Sequence, residues 1–177
     1  QSGIDEVNQV IKPQQSPQTH LQGYSGFDMT DVLSIESSMK KLQGEEAFDV
    51  VFLQAGGVTF GDDYQYVQYN DTRVERTIFQ NAIGPYITLV QLYQHQLIKE
   101  NTRIVFAGGE GARGIPGMIN KPEYSSPKEL LDFTQGQGVL PKYNPMNGIG
   151  ISKLFSALIV QALAKHDYTQ EFIWFTP

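Results

Sequence analysis

Phe48-Asp49-Val50-Val51-Phe52-Leu53-Gln54-Ala55-Gly56-Gly57 is the stretch that decides the fold. Its first six residues are mostly β-branched or aromatic and show no apolar–polar alternation, the pattern of a strand buried on both faces. The run stops at two glycines, where a ligand can approach backbone N–H groups closely. Arg103-Ile104-Val105-Phe106-Ala107 repeats the pattern and ends in Gly108-Gly109-Glu110-Gly111. Phe172-Ile173-Trp174-Phe175 is a third such run, just before Thr176-Pro177. Between the first two, apolar residues from Ile78 to Tyr93 recur at helical spacing within residues 73–98, and Pro85 among them predicts a kink. Between the second and third, a helix is predicted over 147–166. Buried strands joined by connections long enough to carry helices run parallel. The predicted class is therefore α/β, a doubly wound parallel sheet in three layers. Ligands of such sheets sit at the carboxyl ends of the strands.

Upstream, Gly23 to Phe27 reads as a brief strand closed by Asp28-Met29-Thr30-Asp31, and Thr30 or Asp31 is placed to cap a helix running to Leu42. Residues 59–72 read as an acidic, tyrosine-rich loop. The stretch from 113 to 146 reads as a long insertion with one small helix at Lys128 to Phe133, started by Ser126-Pro127, and loops of this length are usually functional or disordered. Residues 1–22 are polar, with a short helical hint at Ile4, Val7, Val10 and Ile11. One domain over 1–177 is the default for this length. The start at Gln1 and the stop at Pro177 directly after an apolar run look like cuts in a longer chain.

Composition narrows the chemistry. The 177 residues include no cysteine, which excludes thiolate catalysis, Cys-ligated zinc and a disulfide scaffold. The net charge is −6 with 13 basic residues, clustered no further than Lys40-Lys41, which argues against nucleic acid or an anionic membrane as partner. The expected partner is a small molecule. His20, His95 and His166 have no metal-ligand spacing, so no metal site is expected. Without a signal core or a fully apolar span of about 20 residues, the sequence reads as cytoplasmic.

Read in order, the strand ends resemble the short-chain dehydrogenase/reductase family. Asp28-Met29-Thr30-Asp31 is similar to that family's Asp-Val-Thr-Asp, and Asp49 to Gly56 to its Asp-Val-Leu-Val-Asn-Asn-Ala-Gly, with Leu53-Gln54 where two asparagines are usual. Asn81 with Gly84 resembles its helix asparagine, Arg103-Ile104-Val105-Phe106 its Arg-Ile-Val-Asn strand, and Ser152-Lys153 the Ser-Lys after its tyrosine. The resemblance implies a Rossmann-like fold binding NAD or NADP, with oxidoreduction of a carbonyl or alcohol. It also implies that Asp28, Met29, Gln54, Ala55, Gly56 and Lys153 line the cofactor, and that Asn81 and Lys153 are catalytic, Asn81 supporting Lys153. A homodimer or homotetramer paired through the two long helices is implied too, and the broad apolar surface of residues 78–93 and of Leu154, Phe155, Leu158 and Ile159 agrees with it.

Three departures bear on activity. The family's glycine-rich first strand and turn, which would hold the cofactor pyrophosphate at a helix N-terminus, is absent from residues 1–177. Its serine falls near Gly108 or Gly109, and its tyrosine, four residues before Lys153, falls on Ile149. Neither glycine nor isoleucine donates a side-chain proton. Tyr143, Tyr124 and Glu110 are candidates for a relocated acid, and the spacing selects none of them. The alternative is a dinucleotide-fold protein that binds without turnover. Taken singly, Lys153 is more often a solvated helix lysine, Asn81 a polar residue satisfied by a carbonyl, and Ala55-Gly56-Gly57 a tight turn; their shared order favours the cofactor reading.

Overall fold

The computed structural model describes residues 6, 9–10, 22–166 and 168–176. Most of the predicted helical segment at 4–11 and the expected chain cuts lie outside them. The sheet contains β1 (Phe48–Leu53), β4 (Ile98–Ala107) and β5 (Glu171–Phe175) in the order β1-β4-β5, all parallel. Val51 stands opposite Ile104, and Ile104 opposite Phe172, so the three runs read as strands lie in register. The helices are α1 (Val32–Met39), α2 (Arg76–Ile78), α3 (Gly84–Gln94), α4 (Pro127–Thr134) and α5 (Pro145–Ala164). This is the parallel, Rossmann-like sheet that the sequence predicts.

The described residues supply two of the three expected layers. Val51, Leu53, Ile104 and Phe106 point to one face and share a core with Met39 of α1, Leu89 and Leu92 of α3, and Val160 of α5. The opposite face carries Val50, 55% exposed, Phe52, 48% exposed, and Phe175, 47% exposed. The handedness of the connections explains this. Both crossovers, β1 to β4 and β4 to β5, step in the same direction across the sheet, and right-handed crossovers that do so put their helices on the same side. The expectation that β1 is buried on both faces is met on one side among the described residues: its pattern fits a two-sided environment, and those residues cover one side of it.

Local chemistry accounts for the element ends. Asp31 caps α1, its carboxylate accepting from the Leu33 N–H at 3.0 Å, and Ser126 caps α4 by accepting from the Glu129 N–H at 3.2 Å. Asn144 accepts from the N–H groups of Met146 and Asn147 ahead of α5. Three expectations are revised. Residues 23–27 form no strand, because Gly26 sits at φ +82° and its carbonyl is taken by the Ser34 hydroxyl, with Lys41 Nζ on the Ser25 carbonyl. The loop at 59–72 contains most of a hairpin, β2 (Tyr66–Tyr69) with β3 (Thr72–Glu75), turned at Asn70 with φ +51°; Asn and Asp tolerate that conformation. The long helix is disturbed not at Pro85 but just before it, through a π-helical turn at Phe79–Ile83, and Pro85 is the second residue of α3.

The insertion is ordered. Phe133 of α4 packs with Ile78 and Ile151 in a second, smaller core, and Arg73 of β3 donates to the carbonyls of Gln135 and Gly136 at 2.7 and 3.0 Å. α5 is 20 residues long and, by length and composition, apolar enough to cross a bilayer. Here it is a core helix: Ser152, Ser156 and Val160 are buried against the rest of the fold.

Candidate functional site

The carboxyl ends of β1 and β4 meet α2 and α5 at one edge of the sheet. Asn81 lies in the π-helical turn, buried, and its amide clamps the end of β1. Nδ2 donates to the Gly57 carbonyl at 2.7 Å and to the Thr77 carbonyl at 2.8 Å, while Oδ1 accepts from the Gly57 N–H at 3.1 Å. A Cβ at Gly56 would stand 2.3 Å from Asn81 Oδ1, so glycine there is a packing requirement of this clamp. Gln54, Ala55 and Gly56 are exposed at the strand end. Gly84, three residues past Asn81, permits another close approach, since a Cβ there would stand 2.2 Å from the Met29 carbonyl oxygen. Met29 is thereby seated under α3, its sulfur accepting from the Thr88 hydroxyl at 3.5 Å.

Asp28 is exposed and stays ionised readily. The N–H and hydroxyl of Thr30, each at 2.8 Å, hold its carboxyl below the usual aspartate range. Lys153 is half-buried on α5 and donates to the Ala107 carbonyl at 2.8 Å, where β4 ends. Burial pushes its ammonium below the ordinary lysine value. Lys153 and Asn81 share no hydrogen bond among the described residues; one holds the end of β4, the other the end of β1. Ser152, beside Lys153, is fully buried and donates to the Ile149 carbonyl, a bond internal to the helix.

Two glycines divide the place where a hydroxyl donor is expected. A Cβ on Gly108 would meet the Trp174 ring at 2.5 Å and the Phe175 carbonyl at 2.7 Å, whereas one on Gly109 would meet Lys153 Cγ at 3.3 Å. Gly109 is therefore the position facing the lysine. Ile149 lies one turn before Lys153 on the same face of α5, as residues four apart do. Of the three candidates for a relocated acid, two have their polar groups engaged. The Tyr143 hydroxyl donates to the Thr59 carbonyl, and burial raises its pKa. Glu110 is exposed and paired with Arg113 at 3.2 Å. Tyr124 packs beside Phe133, with ring centroids 5.9 Å apart.

One buried acid escapes the sequence reading. Glu75 is 1% exposed; its Oε2 accepts from the Ile78 N–H at 2.9 Å at the start of α2, and burial pushes its pKa up. Its Oε1 and the hydroxyls of Thr77 and Thr59 are buried without a hydrogen-bond partner among the described residues. The signal available was a Glu directly before a helix, which marks a cap and says nothing about depth.

What fold and edge define together is a Rossmann-like parallel sheet whose glycine-containing strand ends carry a buried amide clamp and a half-buried lysine. Comparison with solved structures places it among dehydrogenase folds. The bulky-bulky ketone specific alcohol dehydrogenase of Comamonas testosteroni is similar at 14% identity with a TM-score of 0.58, covering 98% of this chain and 59% of that one. The ligand-free aldohexose dehydrogenase of Thermoplasma acidophilum follows at 13% identity and 0.56, covering 92% and 53%. A Burkholderia multivorans structure described as a short-chain dehydrogenase/reductase with bound NADP gives 14% and 0.50, covering 90% and 55%. The chain thus spans between half and three fifths of the length of these proteins, and the likeness is one of fold. No protein-family model and no curated protein matches the sequence.

Proposed function

We propose that the chain is a divergent short-chain dehydrogenase/reductase whose strand-end edge binds NAD or NADP and serves oxidoreduction of a small carbonyl or alcohol. The observation that carries the reading is the ammonium of Lys153, drawn into the fold onto the Ala107 carbonyl at 2.8 Å beside the one glycine, Gly109, that faces it. A solvated helix lysine has no reason to accept that desolvation. The residues fit two ends of the cofactor. Asp28 and the backbone at Met29 suit the adenine, while the exposed Gln54-Ala55-Gly56 turn and Lys153 suit the nicotinamide ribose. Residues 1–177 contain no glycine-rich turn for the pyrophosphate. When bound, the cofactor supplies or accepts the hydride; the chain's own groups position it and place a cation beside the reacting edge. Asn81 acts here as a positioning residue, holding the turn after β1.

A second reading rests on a specific observation too. Gly109 and Ile149 offer no proton donor, and Tyr143 spends its hydroxyl on Thr59, so a scaffold that binds nucleotide without turnover is the rival. A positioned general acid is worth roughly 10² to 10⁴ in rate. Ile149→Tyr together with Gly109→Ser, made in the full chain, separates the two. Activity on an activated ketone before repair, abolished by Tyr143→Phe, marks a working enzyme with a moved acid. Negligible activity before repair and a gain of that order after it marks a binding scaffold. No gain with nucleotide binding intact refutes the alignment of Ile149 with the family's tyrosine. We also propose self-association through α3 and α5, whose outward Tyr86 and Leu158 remain exposed.

A further inference from the structure

A cleft of about 500 Å³ opens between the insertion and the start of α5. That size lies in the ordinary range for small-ligand sites, which run to about 300–1,000 Å³. The cleft is distinct from the edge carrying Lys153. Its α5 contribution is Asn147 and Ile151, one turn apart on one face. Ile149 and Lys153 lie about 200° round from them, because each residue advances about 100°. The helix stands between the two places.

The lining indicates what fits. Tyr124, Phe133, Pro141 and Ile151 form an apolar wall, with the two rings tilted 56° to each other. Four of the five formal charges at the rim are paired, Lys121 with Glu123 at 3.1 Å and Lys128 with Asp132 at 2.5 Å, while the exposed carboxylate of Glu129 takes the N–H and hydroxyl of Ser125 and leaves the rim one net negative charge. An anionic ligand would enter against that net negative charge, and a cationic one would gain only the exposed Glu129 carboxylate, a surface pair of little worth. Carboxamides remain. Asn147 uses its oxygen on the Asn120 N–H at 2.8 Å, and neither its amide nitrogen nor the side chains of Asn120 and Gln137 have a hydrogen bond among the described residues. The Tyr124 hydroxyl is likewise without a partner there, and burial raises its pKa, so it remains a neutral donor. Val139 stands at the mouth fully exposed, an apolar side chain with nothing of its own chain to pack against.

We propose that this cleft is a binding site for an uncharged aromatic or alicyclic molecule bearing hydroxyl or carbonyl groups, separate from the strand-end edge. The ring lies against Tyr124 and Phe133, Val139 covers it, and Asn120, Asn147 and Gln137 take its polar groups. The assignment does not depend on the dehydrogenase reading, which shares with it only Tyr124, one of the candidates for a relocated acid.

The test titrates the full chain with 2-naphthol, followed by its fluorescence anisotropy, with 2-naphthoate and 2-naphthylmethylammonium as charged probes of the same shape. The expected result is saturable binding of one naphthol per chain with a dissociation constant below about 1 mM. 2-Naphthoate should bind at least about tenfold more weakly, and the ammonium no more tightly than naphthol. Val139→Asp, at an exposed position where folding is not at stake, should weaken naphthol by a similar factor, and Ile151→Trp should fill the cleft; Lys153→Ala should leave binding unchanged. Absence of saturation, 2-naphthoate binding as tightly as naphthol, the ammonium binding more tightly than it, indifference to Val139→Asp, or loss of binding in Lys153→Ala would each overturn the proposal.

Discussion

A side chain at position 108 and one at 109 meet different surroundings, and this gives a test at the scale of single residues. Gly108→Ser drives an atom into Trp174 and the Phe175 carbonyl; overpacking of that kind costs about 1–3 kcal/mol. Gly109→Ser meets only the methylenes of Lys153, which can shift. Thermal melts should show a clear loss for the first and little for the second; the reverse order would mean β4 ends one residue away from where the fold places it. Glu75 supplies a pH prediction. Its folded pKa is raised, so between the ordinary glutamate value and the raised one the native state holds more protons than the unfolded chain, and stability falls as pH rises through that window. Glu75→Gln removes this dependence. Its melting temperature should gain on the parent as pH rises from about 4, and a gain confined to acid pH would contradict the assignment. The spacing of Lys153 to Ile149 was legible from sequence, because one helical turn fixes it whatever the packing; the role of Lys153 rested on the resemblance of Ser152-Lys153 alone. Glu75 was not, because the burial of a carboxylate is decided by β3, α2 and the insertion together.

At the scale of elements, the π-helical turn and its asparagine form one device. Asn81→Ala would leave the Gly57 N–H and carbonyl without their partners, each buried group costing about 1–3 kcal/mol. The variant should lose stability by that order and loosen the end of β1, visible as faster amide exchange at Gly57. Unchanged exchange would show that the turn holds itself. Gly84→Ala should be worse than an ordinary helix substitution, because its Cβ collides with the Met29 carbonyl. Strands and helices were readable here because burial imposes periodicity on each separately. The β2–β3 hairpin was not readable, because Tyr66-Val67-Gln68-Tyr69 shows no apolar–polar alternation and the acidic, tyrosine-rich composition of 59–72 reads as a loop. The π turn was not: Pro85 is visible in sequence, whereas the extra residue before it is set by Asn81 reaching back to β1.

At the scale of the molecule, three strands and three helices share one core, and one sheet face is left with Val50, Phe52 and Phe175 exposed, Phe52 and Phe175 in edge contact at 6.3 Å. The sequence showed that the strands are apolar on both sides; it could not show that both crossovers step the same way. Self-association through α3 and α5 predicts that Leu158→Glu shifts sedimentation toward the monomer without lowering the stability of the fold by more than about 0.5 kcal/mol, as expected for a surface site. A chain that is monomeric before the change would contradict that pairing. The central claim is that the strand-end edge holds a nicotinamide nucleotide, and the single tryptophan, Trp174, lies against Gly108 at that edge. Titration with NADH and NADPH, followed by quenching of Trp174 fluorescence, tests it most directly. In a chain that supplies the glycine-rich first strand and turn, saturable quenching by one of the two, with stabilisation of about 2.7 kcal/mol at 100 times the dissociation constant and marked weakening in Lys153→Ala, is the predicted result, and residues 1–177 alone should bind far more weakly. Quenching that never saturates, with a melting curve unmoved by millimolar amounts of either nucleotide, would contradict it.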